Sequence, residues 1–422
     1  MLHARMAAMD QAVHRTVKKR RVFYIPGYDP IHPRRYRELY RTESAVQAEI
    51  SGYDIGISPK MGENYGWNVS AVMDGTSVDA QVDVLVWSDI VRDSMASGIA
   101  ATYLQLIRTA WIYITSGTLR RLMWMRKGPV IAALYPVGML LLQLLLAVLA
   151  GRLVGGGLRN GLEALLPILP DVLTSAIGWA VGLPLVVVIL RWFKSKDGKL
   201  YAYYLMHDYA YTAKLKGANP PELEARMAQF KDAIKAALKS NADEVLVVGH
   251  SSGAHLGVSI LADLIREGGV PKRGPVLGFL TLGQVVPMVS FLPKASRLRA
   301  DLQDLSLRDE LTWIDVTAPG DGCAFALCDP VMVSGVAPAQ KKWPLVISAA
   351  FTKTLSAERW KELRWKFFRL HFQYLCAFDR VGEYDYFRIT GGTMTLAERF
   401  EGREPSKSRI DVAASKYTSM TR

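Results

Sequence analysis

Short apolar runs alternate along the chain with segments whose apolar residues recur at helical spacing. The runs are rich in β-branched and aromatic residues and predict strands at residues 21–25, 67–73, 78–87, 244–248, 276–282, 311–316 and 345–351. The segments between them predict helices at residues 33–50, 200–215, 221–240 and 254–266. Strands that alternate with helices in this way indicate an α/β fold, in which helices cover a mostly parallel sheet.

Two longer apolar runs interrupt this alternation. Residues 130–150 and 172–190 contain no formally charged side chain. At about 1.5 Å of rise per residue, each run is long enough for a helix to cross a hydrocarbon core of about 30 Å. We therefore expect an inserted transmembrane helical hairpin. The alternative is a pair of buried helices in a large soluble enzyme.

Basic residues concentrate on the two outer flanks of these runs. They lie at positions 120, 121, 126 and 127 before the first run, and at 191, 194, 196 and 199 after the second. The predicted connecting loop contains only Arg152 and Arg159. Because basic flanks stay on the cytoplasmic side, we expect a protein of the bacterial inner membrane whose larger part faces the cytoplasm.

The composition supports contact with lipid and argues against a disordered chain. Of 422 residues, 50% are hydrophobic and 22% are charged, and the formal net charge is +13. Much of this charge lies beside the predicted hairpin or in the tails. An anionic membrane leaflet therefore explains it better than nucleic acid, for which no recognisable binding motif is present. Residues 1–21 lack the apolar stretch of a secretory signal.

The cysteines predict neither disulfides nor a metal site. Cys323, Cys328 and Cys376 form no even framework and no recognised metal-ligand spacing. Small thiols in a reducing compartment explain them better. We therefore expect no metal and no cofactor.

One short motif carries the candidate chemistry. Gly249-His250-Ser251-Ser252-Gly253 has the pattern G-x-S-x-G, directly after the predicted strand 244–248 and directly before the predicted helix 254–266. A nucleophile elbow needs this arrangement, because glycines on both sides let strand and helix approach while the serine hydroxyl is exposed at the end of the strand. The alternative is an ordinary Gly-rich loop between a strand and a helix.

With this motif and this order of elements, the chain resembles the α/β-hydrolase superfamily over residues 21–87 and 200–400. The resemblance implies that Ser251 is the nucleophile and that the backbone N–H of Ser252 is one oxyanion donor. The turn Pro26-Gly27-Tyr28 follows the first strand, so the second implied donor is the N–H of Tyr28. An ordinary Pro-Gly turn is the alternative at Gly27.

The family order of nucleophile, acid and histidine implies the remaining members of a triad. Asp321 lies in the loop after strand 311–316 and is the implied acid, while Asp315 and Asp329 are weaker candidates. His371 is the only histidine after Asp321 and is therefore the implied base. It lies in an aromatic segment that resembles a helix, whereas the family places this histidine in a loop. A solvated aspartate and a buried structural histidine are the alternatives.

These observations together predict a membrane-anchored serine hydrolase that cleaves an acyl ester, with lipids as the hypothetical substrates. The hydrolase domain is expected in two parts, residues 21–118 and 200–400, separated by the hairpin insertion at 119–199. Residues 1–20 and 401–422 are expected to be loosely held tails. The alternative from another class is a catalytically inactive scaffold of the same fold. A transporter fits poorly, because a single hairpin provides too few spans.

Overall fold

A single sheet of eight strands organises the described part of the chain. The computed structural model describes residues 16–62 and 64–421. In chain order the strands are β1 Lys19–Ile25, β2 Asp54–Pro59, β3 Gly66–Met73, β4 Thr76–Val84, β5 Glu244–His250, β6 Val276–Leu282, β7 Leu311–Thr317 and β8 Leu345–Ser348. Their order across the sheet is β2-β3-β4-β1-β5-β6-β7-β8. Every pairing from β4 across to β8 is parallel, and only β2–β3 and β3–β4 are antiparallel.

Helices lie between the strands, as the alternating pattern predicts. Before the hairpin they are α1 Arg34–Ser51, α2 Ser88–Met95, α3 Ile99–Thr115 and α4 Thr118–Met125. The hairpin consists of α5 Lys127–Leu165 and α6 Asp171–Ser195. After it come α7 Asp197–Leu200, α8 Ala202–Lys214, α9 Pro221–Ala237, α10 Ser252–Arg266, α11 Val286–Ser290 and α12 Ser296–Ser306. The last are α13 Pro330–Val333, α14 Phe351–Thr354, α15 Ala357–Leu363, α16 Phe367–His371, α17 Tyr386–Gly391 and α18 Leu396–Arg399.

The sheet separates two hydrophobic cores. Side chains alternate between the faces of a strand, so Val22 and Tyr24 of β1 belong to one core while Phe23 and Ile25 belong to the other. All seven residues of β5 are buried, as expected for a central strand covered on both faces. The prediction of a mixed α/β fold with a mostly parallel sheet is confirmed.

The two hairpin helices are in close contact along a seam of glycines. A Cβ atom added to Gly151 would lie only 2.7 Å from the carbonyl oxygen of Gly182, and Gly155 faces Gly178 one turn further along. Because glycine has no side chain, the two backbones can approach this closely. These glycines therefore hold the helices together as an antiparallel pair.

Both hairpin helices are longer than the apolar runs that predict them. The prediction that residues 155–157 form a connecting loop is wrong, because they continue α5 and the loop shrinks to residues 166–170. Arg152 and Arg159 consequently lie within α5. Glycine destabilises a helix in water. Here the contacts between the two helices compensate for that loss of helix stability.

Most side chains of α5 and α6 remain exposed, including many leucines and valines. By length and composition, both helices are able to cross a membrane. Large exposed apolar surfaces are unusual on soluble monomers and typically mark contact with protein or lipid.

Three further differences concern shorter segments. Strand β2 was not predicted, because Gly56, Pro59 and its polar residues hide its pattern at the edge of the sheet. Strand β8 is shorter than the predicted strand 345–351. The described part of the C-terminal segment is not loosely held, because the backbone of Ile410 bonds to Leu327 and Asp329 at 2.7 and 2.9 Å. Residues 1–15 of the predicted N-terminal tail and Arg422 lie outside the described residues.

Candidate active site

Ser251 lies at a strained turn between β5 and α10. Its backbone has φ 56° and ψ −120°, a conformation that residues other than glycine rarely adopt. Such strain costs about 1–3 kcal/mol and persists only where the surroundings impose it. Here the Ser251 N–H donates to the carbonyl of Leu282 at 2.9 Å, which ties the turn to the end of β6.

The two glycines of the motif allow this turn by the close approach of backbones. A Cβ atom at Gly249 would lie 2.7 Å from the carbonyl oxygen of Gly253, and one at Gly253 would lie 2.8 Å from the carbonyl oxygen of Pro26. Both distances are too short for any side chain. The strand, the turn and the helix therefore form the compact arrangement that the motif predicts.

The loop after β1 approaches the same turn from the side. A Cβ atom at Gly27 would lie 2.9 Å from the Cβ of Ser251 and 3.4 Å from its Oγ. Trp87 fixes the loop by donating its indole N–H to the carbonyl of Pro26 at 3.0 Å. The Tyr28 hydroxyl bonds to Ser94 at 2.6 Å. The close contact with Ser251 therefore explains why this position is a glycine.

Two backbone N–H groups beside Ser251 have no protein acceptor. Tyr28 and Ser252 are both buried, and among the described residues neither N–H donates a hydrogen bond to protein. Buried N–H groups without an acceptor are rare in folded proteins. Both residues line the cavity that contains Ser251, so they are available to a substrate oxygen there.

Asp321 and His371 form a buried hydrogen-bonded pair. The Nδ1 of His371 lies 2.7 Å from Oδ2 of Asp321. The same oxygen accepts the hydroxyl of Tyr374 at 3.0 Å, and the Cys323 N–H donates to Oδ1 at 2.9 Å. An aspartate with these partners orients the imidazole and keeps the proton on Nδ1, so that Nε2 is left to act as a base.

The surroundings keep Asp321 ionised although it is buried. Burial alone would raise its pKa, but the neighbouring His371 and the hydrogen bonds from His371, Cys323 and Tyr374 hold this pKa below its usual value. The other two acidic candidates have different partners. Asp329 caps α13 and pairs with Lys341 at 2.7 Å. Burial raises the pKa of Asp315, within β7, to about 8.

Two residues that the sequence did not indicate hold His371 in place. The Nε2 of His250 lies 3.0 Å from the His371 carbonyl oxygen, to which it donates as a neutral ring. Burial, followed by repulsion from His371, lowers the pKa of His250 to about 3. Gly283, with φ 54°, leaves room for the imidazole, since a Cβ atom there would lie 3.0 Å from its Cε1. In the sequence, the signal for this role is a glycine directly after a buried strand.

Ser251 and His371 line one cavity of about 80 Å³. Among the described residues, no hydrogen bond joins Ser251 Oγ to the imidazole. Catalytic hydrogen bonds are often long without substrate and tighten when it binds. The structure therefore brings Ser251, Asp321, His371, Tyr28 and Ser252 to one place, but the contact between serine and histidine is not made.

The roof of this cavity comes from the start of the hairpin and from α8, the helix that follows the insertion. Pro129, at the start of α5, lines it together with Tyr204 and Asp208 of α8. The Tyr204 hydroxyl donates to the carbonyl of Tyr28 and so ties the roof to the loop after β1. Burial raises the pKa of Asp208 to about 7. Nothing in the sequence pattern singled out Asp208, because an aspartate in a helix is usually solvated.

A possible metal cluster coincides with the pair described above. Asp321, Cys323 and His371 each offer a donor atom, and these atoms lie within 4.8 Å of one another. The carboxylate and Nδ1 already satisfy each other, and burial raises the pKa of the Cys323 thiol well above its usual value. A protonated thiol is a poor metal ligand. The group fits a hydrogen-bonded pair better than a metal centre.

The fold and the site define an α/β protein with a buried aspartate–histidine pair and a strained serine turn at the carboxyl ends of parallel strands. Comparisons of the chain with models of protein families, with curated proteins and with solved structures found no match.

Proposed function

We propose that this protein is a membrane-anchored serine hydrolase of α/β-hydrolase fold that cleaves an acyl ester through an acyl-enzyme intermediate. One observation carries the proposal. Ser251 with its strained turn, Tyr28, Ser252 and His371 all line one cavity, and Asp321 is hydrogen-bonded to His371. Each performs a different task in acyl transfer, and structural needs alone would not bring them together.

In the proposed reaction the Oγ of Ser251 attacks the ester carbonyl carbon while His371 Nε2 takes the hydroxyl proton. The carbonyl π electrons move onto its oxygen, which the N–H groups of Tyr28 and Ser252 stabilise. When the tetrahedral intermediate collapses, the bond to the alkoxide breaks and the imidazolium protonates the leaving alcohol. Water then attacks the acyl-enzyme by the same route, which releases the carboxylic acid and restores Ser251. Asp321 stabilises the imidazolium throughout.

The hairpin would anchor this enzyme in the bacterial inner membrane, with the domain on the cytoplasmic side. Its exposed apolar helices and the basic residues on both flanks support this placement. Because Pro129 at the start of α5 lines the cavity, esters that partition from the bilayer are the proposed substrates. Activity only on short water-soluble esters, unaffected by added lipid, would argue against this class of substrate.

A catalytically inactive scaffold of the same fold is the rival proposal. The observation in its favour is that no hydrogen bond joins Ser251 Oγ to His371 among the described residues. Such a protein would keep the fold and the hairpin while binding a partner rather than turning over an ester.

Labelling with a fluorophosphonate separates the two proposals. Wild-type protein in detergent is expected to be modified at Ser251, and Ser251→Ala is expected to remain unlabelled. Ser259→Ala is the matched control, because Ser259 is a buried serine about two turns further along α10. Labelling of folded Ser251→Ala would move the nucleophile elsewhere, and a folded but unlabelled wild type would favour the scaffold.

A further inference from the structure

Trp365 and Phe367 are large apolar side chains that this protein leaves in the open. Trp365 is 72% exposed and Phe367 is 40% exposed, although they are separated by a single residue. Their neighbours Arg364, Lys366 and Arg369 are basic and also exposed. These five residues are called the aromatic–basic patch. It lies outside the predicted hairpin and has no role in the proposed chemistry.

The patch and its neighbour Phe368 lie near the two points where the chain enters and leaves the hairpin. At one end, Gly322 is the common neighbour, since a Cβ atom there would lie 3.0 Å from the Phe367 ring and one at Gly128 would lie 3.3 Å from the Gly322 Cα. Gly128 is the second residue of α5. At the other end, the ring of Tyr201, just after α7, lies 5.1 Å from that of Phe368. The patch is therefore close to the start of α5 and, through its neighbour Phe368, to the segment that follows α6.

The charge of the patch matches an anionic surface. Among the described residues, the ion pairs of the patch are those of Glu362 with Lys366 at 2.9 Å and with Arg369 at 3.3 Å. Arg364 has no acidic partner among the described residues, and its guanidinium lies 5.6 Å from the centre of the Trp365 ring. A net positive charge therefore surrounds two exposed aromatic rings.

We infer that the aromatic–basic patch is a second membrane contact, which inserts Trp365 and Phe367 at the boundary of headgroups and acyl chains in the leaflet that the hairpin enters. Tryptophan favours this depth because its ring is apolar and its N–H is polar. Arginine and lysine beside it bind the phosphates of anionic lipids while their alkyl stems stay near the apolar region. A spanning hairpin fixes the patch near the membrane, so little entropy remains to be lost on contact.

The contact would also orient the cavity. Phe368 lies between the patch and the cavity, whose wall it forms together with His371. With Trp365 in the headgroup region, this wall faces the leaflet. The inference rests on the proposed anchoring by the hairpin but does not depend on the proposed hydrolysis.

Site-specific photocrosslinking in vesicles tests the inference. A benzophenone amino acid replaces Trp365 in the full chain, which is reconstituted in vesicles of phosphatidylcholine and phosphatidylglycerol. Leu145 on the exposed surface of α5 serves as the lipid-facing reference. Val276 serves as the water-facing reference. It is exposed at the start of β6, whereas the cavity lies at the carboxyl ends of the strands. Adducts are identified by mass after illumination, and each variant is first checked for native elution and circular dichroism.

Lipid adducts at positions 145 and 365, with only background at 276, are the expected result. In Arg364→Gln/Lys366→Gln/Arg369→Gln protein, the adduct yield at 365 should fall several-fold while that at 145 stays unchanged. Lipid adducts at 145 but none at 365 would overturn the inference, as would adducts at 365 to a second protein chain alone. No lipid adduct at either position would overturn the proposed anchoring as well, whatever the outcome of fluorophosphonate labelling.

Discussion

Gly27→Ala adds a single methyl group beside the candidate nucleophile. The backbone of Gly27 is not left-handed, so alanine is compatible with it. The new Cβ would lie 2.9 Å from the Cβ of Ser251, whereas ordinary contacts begin at about 3.4 Å. One of the two groups must therefore move by about 0.5 Å, and Ser251 is held by the strained turn.

A displacement of this size should affect chemistry more than folding. Misplacing a reacting group by about 1 Å can cost about 100-fold in rate, so a shift of about half that size is expected to slow fluorophosphonate labelling by about 10- to 100-fold. Overpacking costs about 1–3 kcal/mol of stability, which lowers the melting temperature by several degrees. Labelling is therefore measured well below that temperature.

The assay compares labelling rates of Gly27→Ala, wild type and Gly56→Ala. Gly56 is the matched control, because a Cβ atom there would meet nothing within 4 Å and the residue lies in the exposed strand β2. The control should label at the wild-type rate. If folded Gly27→Ala labels within twofold of wild type, the loop after β1 does not border the reacting serine and the proposed oxyanion site is wrong.

Three further substitutions test the electrostatics of the site. Asp321→Asn leaves the size of the side chain unchanged but removes the charge that stabilises a His371 imidazolium, so labelling should slow by about 10³–10⁴-fold. Asp315→Asn should label normally, since burial raises the pKa of that carboxyl to about 8 and it is already mostly neutral; equal losses in the two variants would contradict the assignment of the acid. For Asp208, the folded pKa of about 7 lies above the unfolded value of 3.8, so wild type loses stability as pH rises between these values. The loss is of order 4 kcal/mol at most, at about 1.4 kcal/mol per pKa unit. Thermal unfolding should therefore show Asp208→Asn as more stable than wild type at pH 8, with the difference gone near pH 4; a constant difference would mean that the pKa of Asp208 is not raised in the folded protein.

Structural features that depend on neighbouring residues in the chain were the ones predicted best from the sequence. Every parallel strand except β4 and β8 was placed to within about two residues, because buried strands in such a sheet are continuous apolar runs bounded by turn residues. The prediction that strand and helix meet at Ser251 also follows from local rules. Only glycine allows the backbones at Gly249 and Gly253 to approach this closely.

Features that depend on distant contacts were not predictable in the same way. The full length of α5 depends on the glycine seam with α6, which no single helix reveals. The bonds of Tyr374 and His250 around the acid and the histidine join residues that lie 53 and 121 positions apart. Chain order alone implies His371 as the base. It lies in the short helix α16, as its aromatic segment predicts, and this departs from the loop that the resemblance implies.

The position of the insertion constrains how an ester would reach the site. A cavity of about 80 Å³ is too small for a long acyl chain, so such a substrate requires the roof to move. Two contacts resist that movement, one made by α8 after the hairpin and one at the start of α5. The Tyr204 hydroxyl holds α8 to the loop of Tyr28, and Gly128 at the start of α5 lies against Gly322 beside Asp321. If the proposed hydrolysis is correct, opening for a lipid must therefore loosen the oxyanion loop, the acid loop or both, and the chemistry waits until the roof closes again.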